Sequence, residues 1–67
     1  MNRFYISSTD PEADIRRCEN SRDTKMPITI SGESEKGGIE AFTGIVLAVL
    51  DLGVESPQGR RWRVTIE

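Results

Sequence analysis

The chain has 67 residues, a formal net charge of −2 and 36% hydrophobic residues. A chain of this length buries only roughly 60% of the surface that its unfolded form exposes, so its core is small. With one cysteine, Cys18, and no histidine, it can form neither an internal disulfide nor a standard zinc site. Because a partner subunit is the remaining common stabiliser of so small a scaffold, we expect self-association.

The lack of histidine also argues against an enzyme, because histidine is the commonest general acid or base near neutral pH. Carboxylates alone remain for such chemistry. Residues 31–55 carry five acids against one lysine, a net charge of −4, but without the spacing of a calcium loop. We interpret them as a solvated acidic face. The prediction is a non-enzymatic protein with no cofactor, and no catalytic, cofactor-binding or metal-ligating residue is assigned.

Targeting signals are missing from the sequence. No apolar stretch approaches the about 20 residues that a membrane-spanning helix needs. The first residues lack the apolar region of a signal peptide. A lone thiol without a secretion signal is typical of the reducing cytoplasm, so we expect a cytoplasmic protein that does not contact a membrane.

The N-terminal part predicts a strand and a helix. Residues 3–7 suit a short edge strand. Asp10 followed by Pro11 is a helix-start signal, with a Thr9–Glu12 capping box as the alternative. The helix that follows, about residues 11–21, has a thin apolar stripe of Ala13, Ile15 and Cys18.

The hydrophobic content changes near Met26. Residues 1–25 contain seven hydrophobic residues, whereas residues 26–67 contain seventeen. We therefore divide the chain into an N-terminal extension of residues 1–25, packed or partly disordered, and an antiparallel β core of residues 26–67.

Residues 27–31 alternate between apolar and polar side chains and are bounded by Pro27 and Gly32. This pattern predicts a strand with Ile28 and Ile30 facing inward. The polar, glycine-rich residues 32–38 predict a turn or an exposed loop.

Residues 39–50 form the most apolar stretch, and the ten from Ala41 onward carry no charge. The length of this stretch and a possible C-cap at Gly53 favour a helix. The four β-branched residues among these ten, and the internal Gly44, favour a strand. We predict one long strand with a bend or bulge at Gly44, and leave the helix open as the alternative.

Such a strand is apolar on both faces. One face carries Phe42, Val46, Ala48 and Leu50. The other carries Thr43, Ile45, Leu47 and Val49. A strand of this kind must be covered on both sides, by a curled barrel with the helix as lid or by a second subunit. The residues proposed for a subunit interface are Phe42, Ile45, Leu47 and Val49.

Residues 51–59 predict a hairpin-type connection to a last strand, residues 60–67. Strict alternation in that strand points Trp62, Val64 and Ile66 inward, and we expect it to pair antiparallel with the preceding strand. The predicted fold class is mainly β, or small α+β. It has three to four antiparallel strands in a curled sheet or small open barrel, and one short N-terminal helix.

Arginines beside an aromatic residue suggest nucleic-acid binding through Arg60, Arg61 and Arg63, with phosphates held by the guanidinium groups. Alternation points Trp62 away from Arg61 and Arg63, which favours a core tryptophan beside a solvated basic strand. The leading hypothesis is therefore an interaction module that forms a homo-oligomer or binds another protein. A small nucleic-acid-binding module is the alternative.

Overall fold

The computed structural model describes residues 1–55 and 60–67. Its elements in chain order are β1 (Asn2–Tyr5), α1 (Pro11–Thr24), β2 (Ile28–Ser34), β3 (Ile39–Gly44), β4 (Val46–Asp51) and β5 (Trp62–Ile66). The strands form one antiparallel sheet in the order β3-β2-β1-β5-β4. The predicted sheet-dominated α+β fold with one N-terminal helix is confirmed, with five strands rather than three or four.

Strand β1 lies in the middle of this sheet. Phe4 is aligned with Ser34 on one side and with Val64 on the other. The prediction of an edge strand is wrong, because both edges of β1 are paired. The boundary near Met26 runs through this one sheet. Whether residues 26–67 fold alone stays a prediction.

Helix α1 begins as the sequence indicates. The side chain of Asp10 accepts a hydrogen bond from the backbone N–H of Ala13 at 3.2 Å, and Pro11 occupies the first turn. The helix ends at Thr24, three residues later than predicted, with Lys25 in the left-handed conformation at φ 58°. Ser21, the last residue of the predicted helix, is fully buried, so the helix still packs against the sheet at that point.

Among the described residues, the core consists of seven buried side chains from four strands, the helix and Ile6, the residue after β1. They are Phe4, Ile6, Cys18, Ile30, Val46, Val64 and Ile66. Phe4 stacks on Phe42 with ring centroids 4.6 Å apart. Gly32 lies against this ring, and a Cβ atom there would collide with it. Strand β2 runs through Gly32 and ends at Ser34, so the loop predicted at residues 32–38 is shorter than expected.

The stretch predicted as one long strand forms two strands, β3 and β4, separated by Ile45 alone. Because β3 and β4 are the two edge strands of the sheet, so short a link requires the sheet to curl enough to bring the end of β3 beside the start of β4. Gly44 makes this possible, since its φ is +152° and a Cβ atom would collide with the carbonyl of Glu67. Ile45 and Glu67 exchange two backbone hydrogen bonds of 3.0 Å.

A bulge in β4 changes which side chains face inward. The register shifts between Val46 and Ala48, so Leu47 is an extra residue opposite β5. Val46 and Val49 consequently both contact the core, while Ala48 and Leu50 are exposed. The predicted faces are wrong beyond Val46, because strict alternation does not survive the bulge.

Strand β5 pairs antiparallel with β4, as predicted. Val64 and Ile66 are buried, and Trp62 is half-buried against the core, which confirms the inward face. The predicted connection extends into residues 56–59, which lie outside the described residues. No helix in the described part of the chain is long and apolar enough to cross a membrane.

Candidate functional site

Five side chains form one row across the outer face of the sheet, the face that points away from the core. The strand registers align Ile39, Glu33, Tyr5, Arg63 and Leu50 in this order. The row thus joins an acid, an aromatic ring and an arginine at its centre to apolar residues at its two ends.

Arg60 lies over the centre of this row. Its Nε donates a hydrogen bond to Glu33 Oε1 at 2.5 Å, and its guanidinium lies 4.6 Å from the centre of the Tyr5 ring. The side chains of Arg60 and Glu33 are 25% and 22% exposed. Arg60 is therefore held by an acid and a ring, which limits its freedom to contact a phosphate.

Arg61 is likewise held between an acid and an aromatic ring, at the C-terminal end of β4. Its Nε and Nη2 donate to the two carboxylate oxygens of Asp51, each at 3.0 Å, and its guanidinium lies 4.8 Å from the Trp62 ring centre. The hydrogen bonds from Arg61, followed by that from the Gly53 N–H, lower the pKa of the Asp51 carboxyl. The pKa of Arg61 is raised by its hydrogen bond to Asp51.

Arg63 differs from these two arginines. Among residues 1–55 and 60–67 neither it nor Arg3 forms an ion pair. Arg63 is aligned with Tyr5, and Arg3 with Thr65, on neighbouring strands. Of the three arginines predicted to contact nucleic acid, Arg63 alone forms no ion pair within residues 1–55 and 60–67. The sheet aligns Tyr5 with Arg63 and places Arg3 two residues before Tyr5 on β1, and no sequence pattern had linked these two residues to Arg63.

The four residues predicted to form a subunit interface do not share one surface. Phe42 and Val49 pack against the core. Ile45 is half-buried, and Leu47 is 40% exposed. The bulge at Leu47 separates them, because it turns Val49 inward.

Other apolar side chains on and just after β4 are exposed. Leu47, Leu50 and Leu52, which we call the β4 strip, are 40%, 45% and 39% exposed. Val54 follows at 80% exposed. The pair between Arg61 and Asp51 borders the strip. An uncharged run in the sequence signals such a patch, but the bulge decides which of its residues reach the surface.

Cys18 is fully buried in the core. Burial, and secondarily the charge of Asp14, raise the pKa of its thiol to about 11. The positive charge of Arg17 lowers this pKa by less than burial raises it, so the thiol is protonated at neutral pH and is not an activated nucleophile.

Clefts at the surface of the described residues include two of a size that could hold a small molecule. One of about 300 Å³ lies between the C-terminal half of α1 and the start of β4, with Arg22, Lys25, Ile45 and Leu47 among its walls. The other, of about 360 Å³, lies beside the turn between β2 and β3. The described residues contain no group of three or more Cys, Asp or Glu side chains that could hold a metal ion.

Comparison with known proteins identifies no relative: no family model, curated protein or solved structure matches the chain.

Proposed function

We propose that this protein is a small non-enzymatic interaction module that self-associates through the β4 strip. The observation that carries the proposal is the exposure of Leu47, Leu50 and Leu52 on and just after one edge strand. Neighbouring apolar side chains at a protein surface are typical of interaction sites.

A second copy of the same chain is the partner that these residues suit best. The strip contains no charge, so two copies of it meet without like-charge repulsion. The neighbouring Arg61–Asp51 pair provides the polar rim that interfaces commonly have. The core, with seven buried hydrophobic side chains, is also small enough to gain from further burial.

The strip alone is small for an interface. A standard interface covers about 800 Å² on each partner. The whole described surface measures 4403 Å². The contact must therefore extend from the strip onto neighbouring residues such as Val54, which is 80% exposed, and we expect a weak, concentration-dependent dimer.

Light scattering over a range of protein concentrations tests this proposal. We expect the mass to rise toward that of two chains, and Leu50→Lys to hold it at that of one chain. Ile39→Lys is the matched control, because Ile39 is 63% exposed in the same row of the sheet but on the opposite edge strand. A folded parent protein that stays monomeric, or a folded Leu50→Lys variant that still dimerises, contradicts the proposal.

The second candidate is a nucleic-acid-binding module that uses Arg63, Arg3 and Tyr5. Its support is the proximity of two arginines without ion pairs to an outward-facing ring on adjacent strands. Titration with single-stranded oligonucleotides, followed by Trp62 fluorescence at low and high salt, tests it. Binding that weakens with salt and with Arg63→Gln, but not with Arg16→Gln on the exposed helix surface, supports this function. Binding that ignores salt, or the absence of binding, excludes it.

A further inference from the structure

The side chain of Ser34 is buried without a hydrogen-bond partner. Ser34 is 8% exposed, and its Oγ meets no donor or acceptor in the described part of the chain. Its backbone is satisfied, because its N–H donates to Gly38 at 2.8 Å and its C=O accepts from Gly37 at 2.9 Å. Since buried hydroxyls are nearly always paired, an external partner for this one has to be considered.

Ser34 lies in the wall of the cleft beside the β2–β3 turn. The volume of this cleft, about 360 Å³, lies within the range of small-molecule sites. Phe42 and Ala41 give it an apolar wall. It combines one buried hydroxyl with a surface suited to an apolar group, as small-ligand sites commonly do.

Charged side chains of both signs surround the cleft. Arg3 and Lys36 are the cations, and Glu35 and Glu40 are the anions. Within residues 1–55 and 60–67, none of the four forms an ion pair. A ligand with separate positive and negative groups can therefore interact with both pairs at once.

We propose that this cleft binds a small zwitterion, an α-amino acid with an apolar side chain. Its carboxylate lies against Arg3 and Lys36 and accepts a hydrogen bond from the Ser34 hydroxyl, and its ammonium lies against the acids. Its side chain packs on Phe42 and Ala41. The site shares no residue with the β4 strip, so it is independent of self-association.

The test uses nuclear magnetic resonance of the full chain, with L-leucine as the probe. We expect saturable shifts at millimolar concentration in the amides of Ser34, Glu40 and Phe42. N-acetyl-L-leucine lacks the ammonium and L-leucinamide lacks the carboxylate, so each is expected to bind at least about tenfold more weakly, as loss of a charged contact of about 1.5–3 kcal/mol implies.

Two serine substitutions on the same strand complete the test. Ser34→Ala removes the buried hydroxyl, and we expect about two- to tenfold weaker leucine binding, the loss of one hydrogen bond of about 0.5–1.5 kcal/mol. Ser31→Ala, at an exposed position of β2, is expected to leave binding unchanged. Glu40→Gln should reduce the preference for leucine over N-acetyl-leucine.

Each other result overturns the proposal. Absence of saturable shifts shows that water alone satisfies Ser34. Equal shifts with all three probes show an apolar contact without recognition of the charges. If Ser34→Ala leaves the affinity for leucine unchanged, the Ser34 hydroxyl does not contact the ligand.

Discussion

Two serines are buried in the described part of this small protein, and their surroundings differ completely. Ser21 on α1 is fully buried, and its hydroxyl donates to the Met26 carbonyl at 2.6 Å and accepts from the Val46 N–H at 3.1 Å. Ser34 on β2 has no partner among the described residues. The hydroxyl of Ser21 thus links α1 to β4, whereas Ser34 borders an open cleft.

The position of Ser21 explains its structural role. Strand β4 is an edge strand, and its first residue, Val46, is aligned with Ile66. Ile45 exchanges both backbone hydrogen bonds with Glu67, so in an antiparallel pair the N–H of Val46 points away from β5. Ser21 accepts from that N–H and anchors α1 to the sheet edge.

The largest expected effect comes from removing the region around Ser21 altogether. Without residues 1–25, β2 and β5 lose the central strand that joins them, and Phe4 leaves the core. We expect residues 26–67 to remain unfolded, as measured by circular dichroism and amide dispersion. Cooperative unfolding of the truncated chain would instead support residues 26–67 as an independent core.

Ser21→Ala is expected to destabilise the protein by about 1–3 kcal/mol, because the buried N–H of Val46 loses its acceptor. Urea unfolding measures this change. Ser31→Ala, an exposed serine on β2, is the control and should change the free energy of unfolding little. An effect of Ser21→Ala no larger than that of the control would mean that water replaces the hydroxyl.

Cys18, one turn before Ser21 on the same helix, predicts a pH dependence. Its pKa is about 11 in the folded protein against an ordinary value of 9.0. Between these values the unfolded thiol ionises while the folded one stays protonated. The contribution of the Cys18 thiol to the free energy of unfolding is therefore fully present below pH 9. Above pH 9 it falls, by up to about 1.4 kcal/mol per pH unit.

Comparison of Cys18→Ala with the parent protein isolates this contribution, because the other titrating groups are the same in both. Urea unfolding between pH 8 and pH 11 should show a smaller decline for the variant. Parallel profiles would show that the Cys18 thiol titrates alike in both states.

The smallest expected effect is that of Ser34→Ala on the free protein. Because the hydroxyl has no partner to lose, we expect unchanged stability or a gain of up to about 1 kcal/mol, opposite in sign to Ser21→Ala. Thermal unfolding measures the difference. A clear loss of stability would show that a bound water or a partner already satisfies Ser34, and the contrast between the two serines would disappear.

Local sequence patterns predicted several elements of the fold correctly. Asp10 and Pro11 placed the start of α1, and the alternation of Trp62, Val64 and Ile66 identified the inner face of β5. Both signals depend on neighbours in sequence, through capping and strand pleating. They need no knowledge of the rest of the molecule.

The candidate sites were less predictable from the sequence, because they depend on residues that are not neighbours in the chain. Leu50 was expected on the same face of the strand as Val46, but the extra residue Leu47 reversed its direction. The cleft beside Ser34 also joins β1 to the β2–β3 turn, which are about thirty residues apart in the chain. No pattern within one segment specifies such a neighbourhood.

The sequence by itself determined a small sheet-dominated protein with a capped N-terminal helix and an arginine-rich last strand. These follow from composition, capping and alternation, which act over a few residues. Only the tertiary structure decided that β1 is central, that the chain passes at Gly44 from one edge strand to the other and that the β4 bulge exposes Leu50. Each of these depends on contacts between distant segments, and burial of the shared core selects among the alternatives that local preference leaves open.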